Sequence, residues 1–148
     1  MKEEYFTIGV AQTKKLGVSL AKRILKRPIQ KRAVVLGLKG ELGEGKTAFL
    51  QGFAKGLGIK ERVLSPTFVI MKKFKIKKKK FRNFFHIDCY RIREKDIMEL
   101  GFKEIASEPK NIIAIEWAGR IKRIIPKDAI WLKFKSVAKN KRKIQINI

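Results

Sequence analysis

The sequence predicts an α/β domain of three layers, with helices on both faces of a central sheet. That sheet is mainly parallel and gains antiparallel strands at its edges. Three observations lead there. The nearly all-apolar run Ala33-Val34-Val35-Leu36-Gly37-Leu38 flows into a glycine-rich segment and then into a one-sided apolar pattern. A second uniformly apolar run, Ile112-Ile113-Ala114-Ile115, ends in Glu116. Strands buried on both faces of a parallel sheet read like these two runs, whereas the segments around 68–87 and 130–148 alternate apolar with polar residues.

The elements follow in chain order. Residues 5–10 read as a short first strand. Over 13–25, Leu16, Leu20 and Ile24 recur at the spacing of one helix face, and Pro28 closes the segment. The strand 33–38 and the glycine-rich loop come next. Leu50, Phe53, Ala54 and Leu57 then share one side of a helix that Gly56 and Gly58 end. Ser65-Pro66-Thr67 opens an extended stretch in which Phe68, Ile70, Phe74 and Ile76 alternate with mostly basic residues. Phe81, Phe85 and Ile87 alternate beyond Lys77-Lys78-Lys79-Lys80, so the pair reads as an antiparallel hairpin with a cationic tip. A helix is expected over 95–100, ended by Gly101. After the strand 112–115, residues 130–134 and 142–148 alternate like edge strands, with Pro126 in the loop before them. No repeat, linker or boundary interrupts residues 1–148, which predicts one domain.

Composition narrows the classes. The chain has 148 residues and 45% hydrophobic content, ordinary for a globular protein. No run of about 18 apolar residues predicts a membrane span. Met1-Lys2-Glu3-Glu4-Tyr5-Phe6 lacks the apolar core of a signal peptide, and Cys89 is the single cysteine. Both point to the cytoplasm. One His and one Cys are too few for a structural zinc site. The net charge of +24 creates a field that attracts polyanions. Nucleic acid is the first candidate partner and an acidic protein surface the second; biased lysine usage is the plain alternative.

Gly40-Glu41-Leu42-Gly43-Glu44-Gly45-Lys46-Thr47 fits G-x-x-x-x-G-K-[ST] without exception. Glycines let the backbone curl so that successive N–H groups face phosphate oxygens, and the following helix offers the positive end of its dipole to the same anion. In this pattern Lys46 reaches the β and γ phosphates and the Thr47 hydroxyl ligates Mg²⁺. The expected fold is therefore the three-layer P-loop NTPase fold, with ATP and Mg²⁺ as cofactors. Such sites take a carboxylate from the end of a neighbouring buried strand. Glu116 ends the more apolar strand and is assigned to the metal; Asp88, after Phe84-Phe85-His86-Ile87, is assigned a supporting place. Ser65-Pro66-Thr67-Phe68 reads equally as a switch-like loop over the γ-phosphate or as a plain turn. His86 reads as a hydrogen-bonded structural residue and Cys89 as a small packed one. Phe81, Phe84 and Phe85 read as core rather than as platforms for RNA bases.

Together these segments resemble the TsaE (YjeE) family of bacterial ATPases. The resemblance rests on the loop 40–47, Leu64-Ser65-Pro66-Thr67-Phe68, His86-Ile87-Asp88-Cys89-Tyr90-Arg91, Glu99-Leu100-Gly101 and Ile115-Glu116-Trp117. Thr13 matches a family Thr near the nucleotide base, and Arg142 resembles a family Arg near the C-terminus. The chain departs from the family at Ala48, where a second hydroxyl is usual, and at Ala118-Gly119-Arg120, where Pro and an acidic residue usually follow Glu-Trp. The resemblance implies the ATPase component of the machinery that makes threonylcarbamoyladenosine in tRNA, acting with a TsaD–TsaB pair. It implies catalytic places for Lys46, Thr67, Asp88 and Glu116, and metal ligation by Thr47 and Glu116. Nucleotide contact falls to Thr13, Gly43, Glu44, Gly45, Lys46, Thr47, Ala48 and Arg142, and Trp117 supports the site.

The expected reaction is attack of water on the γ-phosphate, slow in the isolated protein because no dedicated base is marked. Arg91 and Arg120 are the candidates for an arginine finger. Two other readings compete: a small-molecule kinase with the same loop, and a basic tRNA-binding module that senses nucleotide through the lysine-rich stretch 72–80.

Overall fold

The computed structural model describes residues 1–41, 43, 45–63, 70–77 and 79–148. Chain order is β1 (Lys2–Ile8), α1 (Gly9–Leu25), β2 (Val34–Lys39), α2 (Lys46–Gly56), β3 (Met71–Lys75), β4 (Asn83–Asp88), α3 (Glu94–Glu99), α4 (Phe102–Ser107), β5 (Asn111–Glu116), a 3₁₀ segment (Ala118–Ile124), β6 (Ile130–Ala138) and β7 (Lys141–Asn147). The described strands form one seven-stranded sheet in the order β1-β7-β6-β2-β5-β4-β3. Its centre, β6-β2-β5-β4, is parallel. β3 joins antiparallel at one side, and β7 and β1 add antiparallel pairs at the other.

Two apolar clusters make the three layers. Leu36, Leu38, Phe84, Ala114 and Leu132 pack beneath α1 and α2, against Leu20, Phe49, Leu50 and Phe53. Val35, Phe85, Ile87, Ile113 and Ile115 pack on the opposite face, beneath α3, α4 and the 3₁₀ segment. The period of two along each strand sorts the residues, so β2 and β5 need apolar side chains on both faces and show an almost unbroken buried run.

Helices α1 and α2 meet almost backbone to backbone. A Cβ added at Gly17 would lie 2.2 Å from the Phe49 carbonyl oxygen, and one at Gly52 would lie 2.0 Å from that of Lys14. Only glycine permits this approach. Past α2, Gly58 takes a φ of 85°, and the Ile59 and Gly58 N–H groups donate to the Ala54 and Lys55 carbonyls. That closes the helix as the two glycines predicted.

Several expectations are corrected. The first strand runs Lys2–Ile8 rather than 5–10, and α1 begins at Gly9, before position 13. The helix expected at 95–100 is Glu94–Glu99, started by the Asp96 carboxylate accepting the Arg93 N–H at 3.0 Å. Gly101 does not only end it: at φ 86° it also turns the chain into α4, which the sequence did not announce. β6 and β7 are not edge strands; among the described strands the edges are β1 and β3. Their alternation has another cause. Helices cover Leu132, Phe134, Ile144 and Ile146 on one face, while the other face of these strands is largely open. The hairpin forms, with Ile76 N–H donating to Arg82 at 2.7 Å, and Phe81, Phe84 and Phe85 are buried core residues. Lys79 and Lys80 are exposed beside the tip; Lys78 lies outside the described residues. Among the described residues no helix is long and apolar enough to cross a membrane.

Candidate nucleotide-binding site

β2 ends at Lys39, and α2 begins at Lys46. Between them, Gly40, Gly43 and Gly45 take φ values of 150°, 78° and 102°. For Gly43 and Gly45 the backbone itself requires glycine, since the left-handed region strains any residue with a Cβ. Leu42 and Glu44 lie outside the described residues. A curled glycine loop opening into a helix N-terminus is the local structure that suits an anion.

Lys46 is the first residue of α2 and is 4% exposed. Its ammonium donates to the Gly40 carbonyl at 2.5 Å and lies 4.0 Å from the centroid of the Trp117 ring. A buried ammonium needs such partners. Trp117 itself has a φ of 58°, an uncommon conformation for a bulky residue, and Tyr90 packs against it at 4.9 Å between centroids. Thr47, next on α2, is exposed, and Ala48 is half-buried.

The parallel register of β4 on β5 sets Asp88 beside Glu116 and His86 beside Ala114. By the period of two, His86, Asp88 and Glu116 therefore share the sheet face that looks toward α2. Glu116 and His86 are buried, and His86 Nε2 lies 2.7 Å from Glu116 Oε2, the distance of an N–H donated to a carboxylate. Asp88, half-buried, accepts the Tyr90 N–H at 2.9 Å. Burial raises its carboxyl above the ordinary range, and the Glu116 charge adds to the rise; the Tyr90 bond and the nearby Lys46 ammonium pull the other way. Cys89 is fully buried, and burial pushes its thiol up to about 12, so it has no nucleophilic character.

Two residues reach the loop from the far side. Arg142 on β7 donates from Nη2 to the Gly43 carbonyl at 3.0 Å and from Nη1 to Ser136 Oγ at 3.2 Å. Thr13 on α1 is buried, with its hydroxyl 2.7 Å from that of Thr7. A Cβ on Gly45 would touch both Thr13 and Arg142, each at 3.7 Å. Residues separated by more than a hundred positions thus flank one turn of the loop.

The structure brings together Lys46, Glu116, Asp88 and Trp117 at one end of the parallel strands, with Thr13 and Arg142 around Gly43 and Gly45. Thr67, within 64–69, and Glu44 lie outside the described residues. Of the arginine-finger candidates, Arg120 donates to the Tyr90 carbonyl at 2.8 Å, beside a groove of about 530 Å³ bordered by Gly40 and Trp117. Arg91 is exposed. His86 is hydrogen-bonded, as the sequence reading expects of a structural histidine, but the sequence did not name Glu116 as its partner. The available signal was parity: His86 and Asp88 stand two apart and so share a face.

The donor set fits a magnesium nucleotide. Thr47 hydroxyl and the Glu116 and Asp88 carboxylates are hard oxygen ligands, and a glycine loop with a lysine at its helix start suits a triphosphate.

The fold is that of the P-loop NTPase class, and the glycine loop lies beyond the carboxyl ends of the parallel strands, where ligands of such open α/β sheets bind. The chain belongs to the TsaE family: residues 9–144 match the family described as "Threonylcarbamoyl adenosine biosynthesis protein TsaE". Among its relatives, the protein of that name from Borreliella burgdorferi is 40% identical over 112 residues, spanning 74% of this chain and 78% of the relative. The one from Aquifex aeolicus is 37% identical over 118 residues, spanning 78% of each. The one from Bacillus subtilis is 36% identical over 110 residues, spanning 74% of this chain and 66% of the relative. A crystal structure of Bacillus subtilis YdiB superposes with a TM-score of 0.70 at 25% identity, over 99% of this chain and 84% of that one.

Proposed function

We propose that this chain binds ATP with Mg²⁺ at the loop 40–47 and hydrolyses it as the ATPase component of tRNA threonylcarbamoyladenosine biosynthesis, working with a TsaD–TsaB pair. The observation that supports this reading is that a buried ammonium, Lys46, and a buried carboxylate, Glu116, stand at the same end of the sheet beside a left-handed glycine loop. The relatives' shared name supplies the pathway.

Each residue then has a task. Backbone N–H groups of the loop and the start of α2 hold the phosphates, and Lys46 turns its ammonium from the Gly40 carbonyl to the β and γ oxygens. Thr47 and Glu116 offer oxygens to the metal, with Asp88 beside them. His86 fixes the Glu116 carboxylate in one orientation from the neighbouring strand. Arg142 and Thr13 brace Gly43 and Gly45 on the side where the base and sugar leave the loop. Bound there, Mg²⁺ supplies the positive charge that offsets negative charge developing on the phosphoryl oxygens. Thr67 is assigned to the γ-phosphate side through the family motif.

Among the described residues none is placed as a strong base toward water, so hydrolysis in the isolated chain is slow and partner-dependent. Steady-state hydrolysis with and without purified TsaD–TsaB, in wild type and Lys46→Ala, tests this. The expected result is a rate changed several-fold by the pair and abolished by the substitution. A rate indifferent to both would overturn the proposal.

A further inference from the structure

The face of β6, β7 and β1 turned away from α1 and α2 carries no described helix over most of its area. Alternation sends Leu132, Phe134, Ile144 and Ile146 into the core, so their neighbours point outward on this side. There β6 presents Lys133 and Lys135, β7 presents Lys141 and Lys143, and β1 presents Lys2. Lys135 stands directly opposite Lys143 in the register. Like charges in that position oppose strand pairing, and a polyanion laid across them would offset the repulsion. Glu4 is the only carboxylate among the described residues of these three strands on this face. It is already engaged by Lys143 at 3.7 Å and by the Gln145 amide at 2.9 Å.

The charge is unevenly distributed. Five of the 13 acidic residues, Glu94, Asp96, Glu99, Glu104 and Glu108, fall in or beside α3 and α4, over the other half of the sheet. Residues 130–148 contain none. The open face also has relief. A cavity of about 290 Å³ is bordered by Lys2, Lys39, Lys122, Trp131 and Asn147. The Trp131 ring lies against Gly37, where a Cβ would stand 2.8 Å from it, and the Lys39 ammonium sits 4.7 Å from the ring centroid. Lys39 and Lys133 border both this cavity and the groove beside the phosphate loop. Lys39 and Lys133 thus join the open face, which also exposes Phe6, Ile8 and Val137, to the groove beside the loop.

We propose that this open sheet face binds the phosphate backbone of RNA, in contact with the nucleotide loop at one end. Lysines are depleted at the centres of protein–protein interfaces, whereas nucleic-acid interfaces are rich in positive charge. An array of point charges without arginine forks suits a repeating backbone better than a particular set of carboxylates. Only the choice of tRNA as the RNA rests on the biosynthetic reading above.

The test is binding of an unmodified tRNA transcript to the full chain, followed by fluorescence anisotropy from about 50 to 300 mM KCl. Three proteins are compared: wild type; Lys2→Gln/Lys141→Gln/Lys143→Gln on the open face; and Lys22→Gln/Lys31→Gln/Lys103→Gln, which removes the same charge elsewhere. The open-face variant is expected to lose at least about tenfold in affinity near 100 mM salt, and its log–log salt slope to fall by about 2 to 3. The second variant should lose no more than about threefold, through the weaker long-range field. Equal losses in both variants, a flat salt slope in wild type, or retention of poly-glutamate in place of tRNA would each overturn the proposal. Binding of a fluorescent ATP analogue, measured in parallel, should be the same in wild type and the open-face variant. If wild type itself binds no ATP analogue, the nucleotide reading fails while the tRNA result still decides the surface.

Discussion

Replacing Gly52 with Ala tests how the nucleotide loop is held. A Cβ there would stand 2.0 Å from the Lys14 carbonyl oxygen, 2.6 Å from its carbonyl carbon and 2.7 Å from its Cα, all backbone atoms. Ordinary contact begins at 3.4 Å, so the helices must part by about 1.4 Å (3.4 minus 2.0). Alanine favours the helix by about 1 kcal/mol over glycine. Against this stand overpacking, about 1–3 kcal/mol, and the dispersion lost along the seam of Leu20, Phe49, Phe53 and Leu57, since a gap of this size forfeits at least half of each contact. The net destabilisation is about 2–4 kcal/mol, which lowers Tm by roughly 5–12 °C in a domain of this size. Gly58→Ala is the matched control. Its φ is 85°, yet no atom lies within 4 Å, so it loses only about 1–2 kcal/mol of backbone conformational energy. Calorimetry on the three proteins reads the difference. A Gly52→Ala Tm at or above wild type, or no lower than that of Gly58→Ala, would refute the packing argument. Parting the helices also moves Thr13 away from Gly45, so nucleotide affinity should fall with stability in Gly52→Ala but not in Gly58→Ala.

Other outcomes follow from the same geometry. His86→Ala removes the buried partner of the Glu116 carboxylate and should cost about 1–3 kcal/mol in urea unfolding; it should also raise the Mg²⁺ concentration needed to saturate nucleotide binding, whereas His86→Gln restores part of both. The Asp88 carboxyl is raised by burial, so its contribution favours the fold below its unfolded pKa near 3.8 and is lost as pH rises through the raised folded value. Asp88→Asn should therefore match or exceed wild-type Tm at pH 7 while abolishing hydrolysis, and its advantage should disappear at pH 3. Glu3 behaves in the opposite sense. Bonds from Arg23 and Tyr5 lower its carboxyl to about 2, so its contribution is present above 4.5 and is lost as pH falls toward 2. Because the pair is partly exposed, Glu3→Gln should cost only about 0.2–1 kcal/mol at pH 7, and the two proteins should converge near pH 2.

The central unit of the fold was legible because its signals are local. The run 33–38 needs burial on both faces, the glycines need left-handed backbone, and Leu50, Phe53 and Leu57 need a core beneath them. The 3₁₀ segment and α4 were missed because each is too short to show a period; Phe102 and Ala106 alone do not distinguish a helix from a packed loop. The edge reading of β6 and β7 failed because alternation reports one-sided cover, which an interior strand also has when helices lie over a single face. At the site, Lys46 and Glu116 could be read from the motif and from strand ends. The His86 bond to Glu116 could not, since it depends on the register of two strands that are not adjacent in sequence. Arg142 and Thr13 entered through resemblance alone; that they stand against Gly43 and Gly45 depends on the tertiary fold and no local pattern could show it.

The most direct test of the account is a crystal structure of the protein with Mg²⁺ and a non-hydrolysable ATP analogue. The triphosphate is expected inside the loop 40–47, with the Lys46 ammonium moved off the Gly40 carbonyl onto the β and γ phosphates and the metal between Thr47 and the Glu116 side of the sheet. A nucleotide seated elsewhere, with Lys46 still on Gly40, would contradict it.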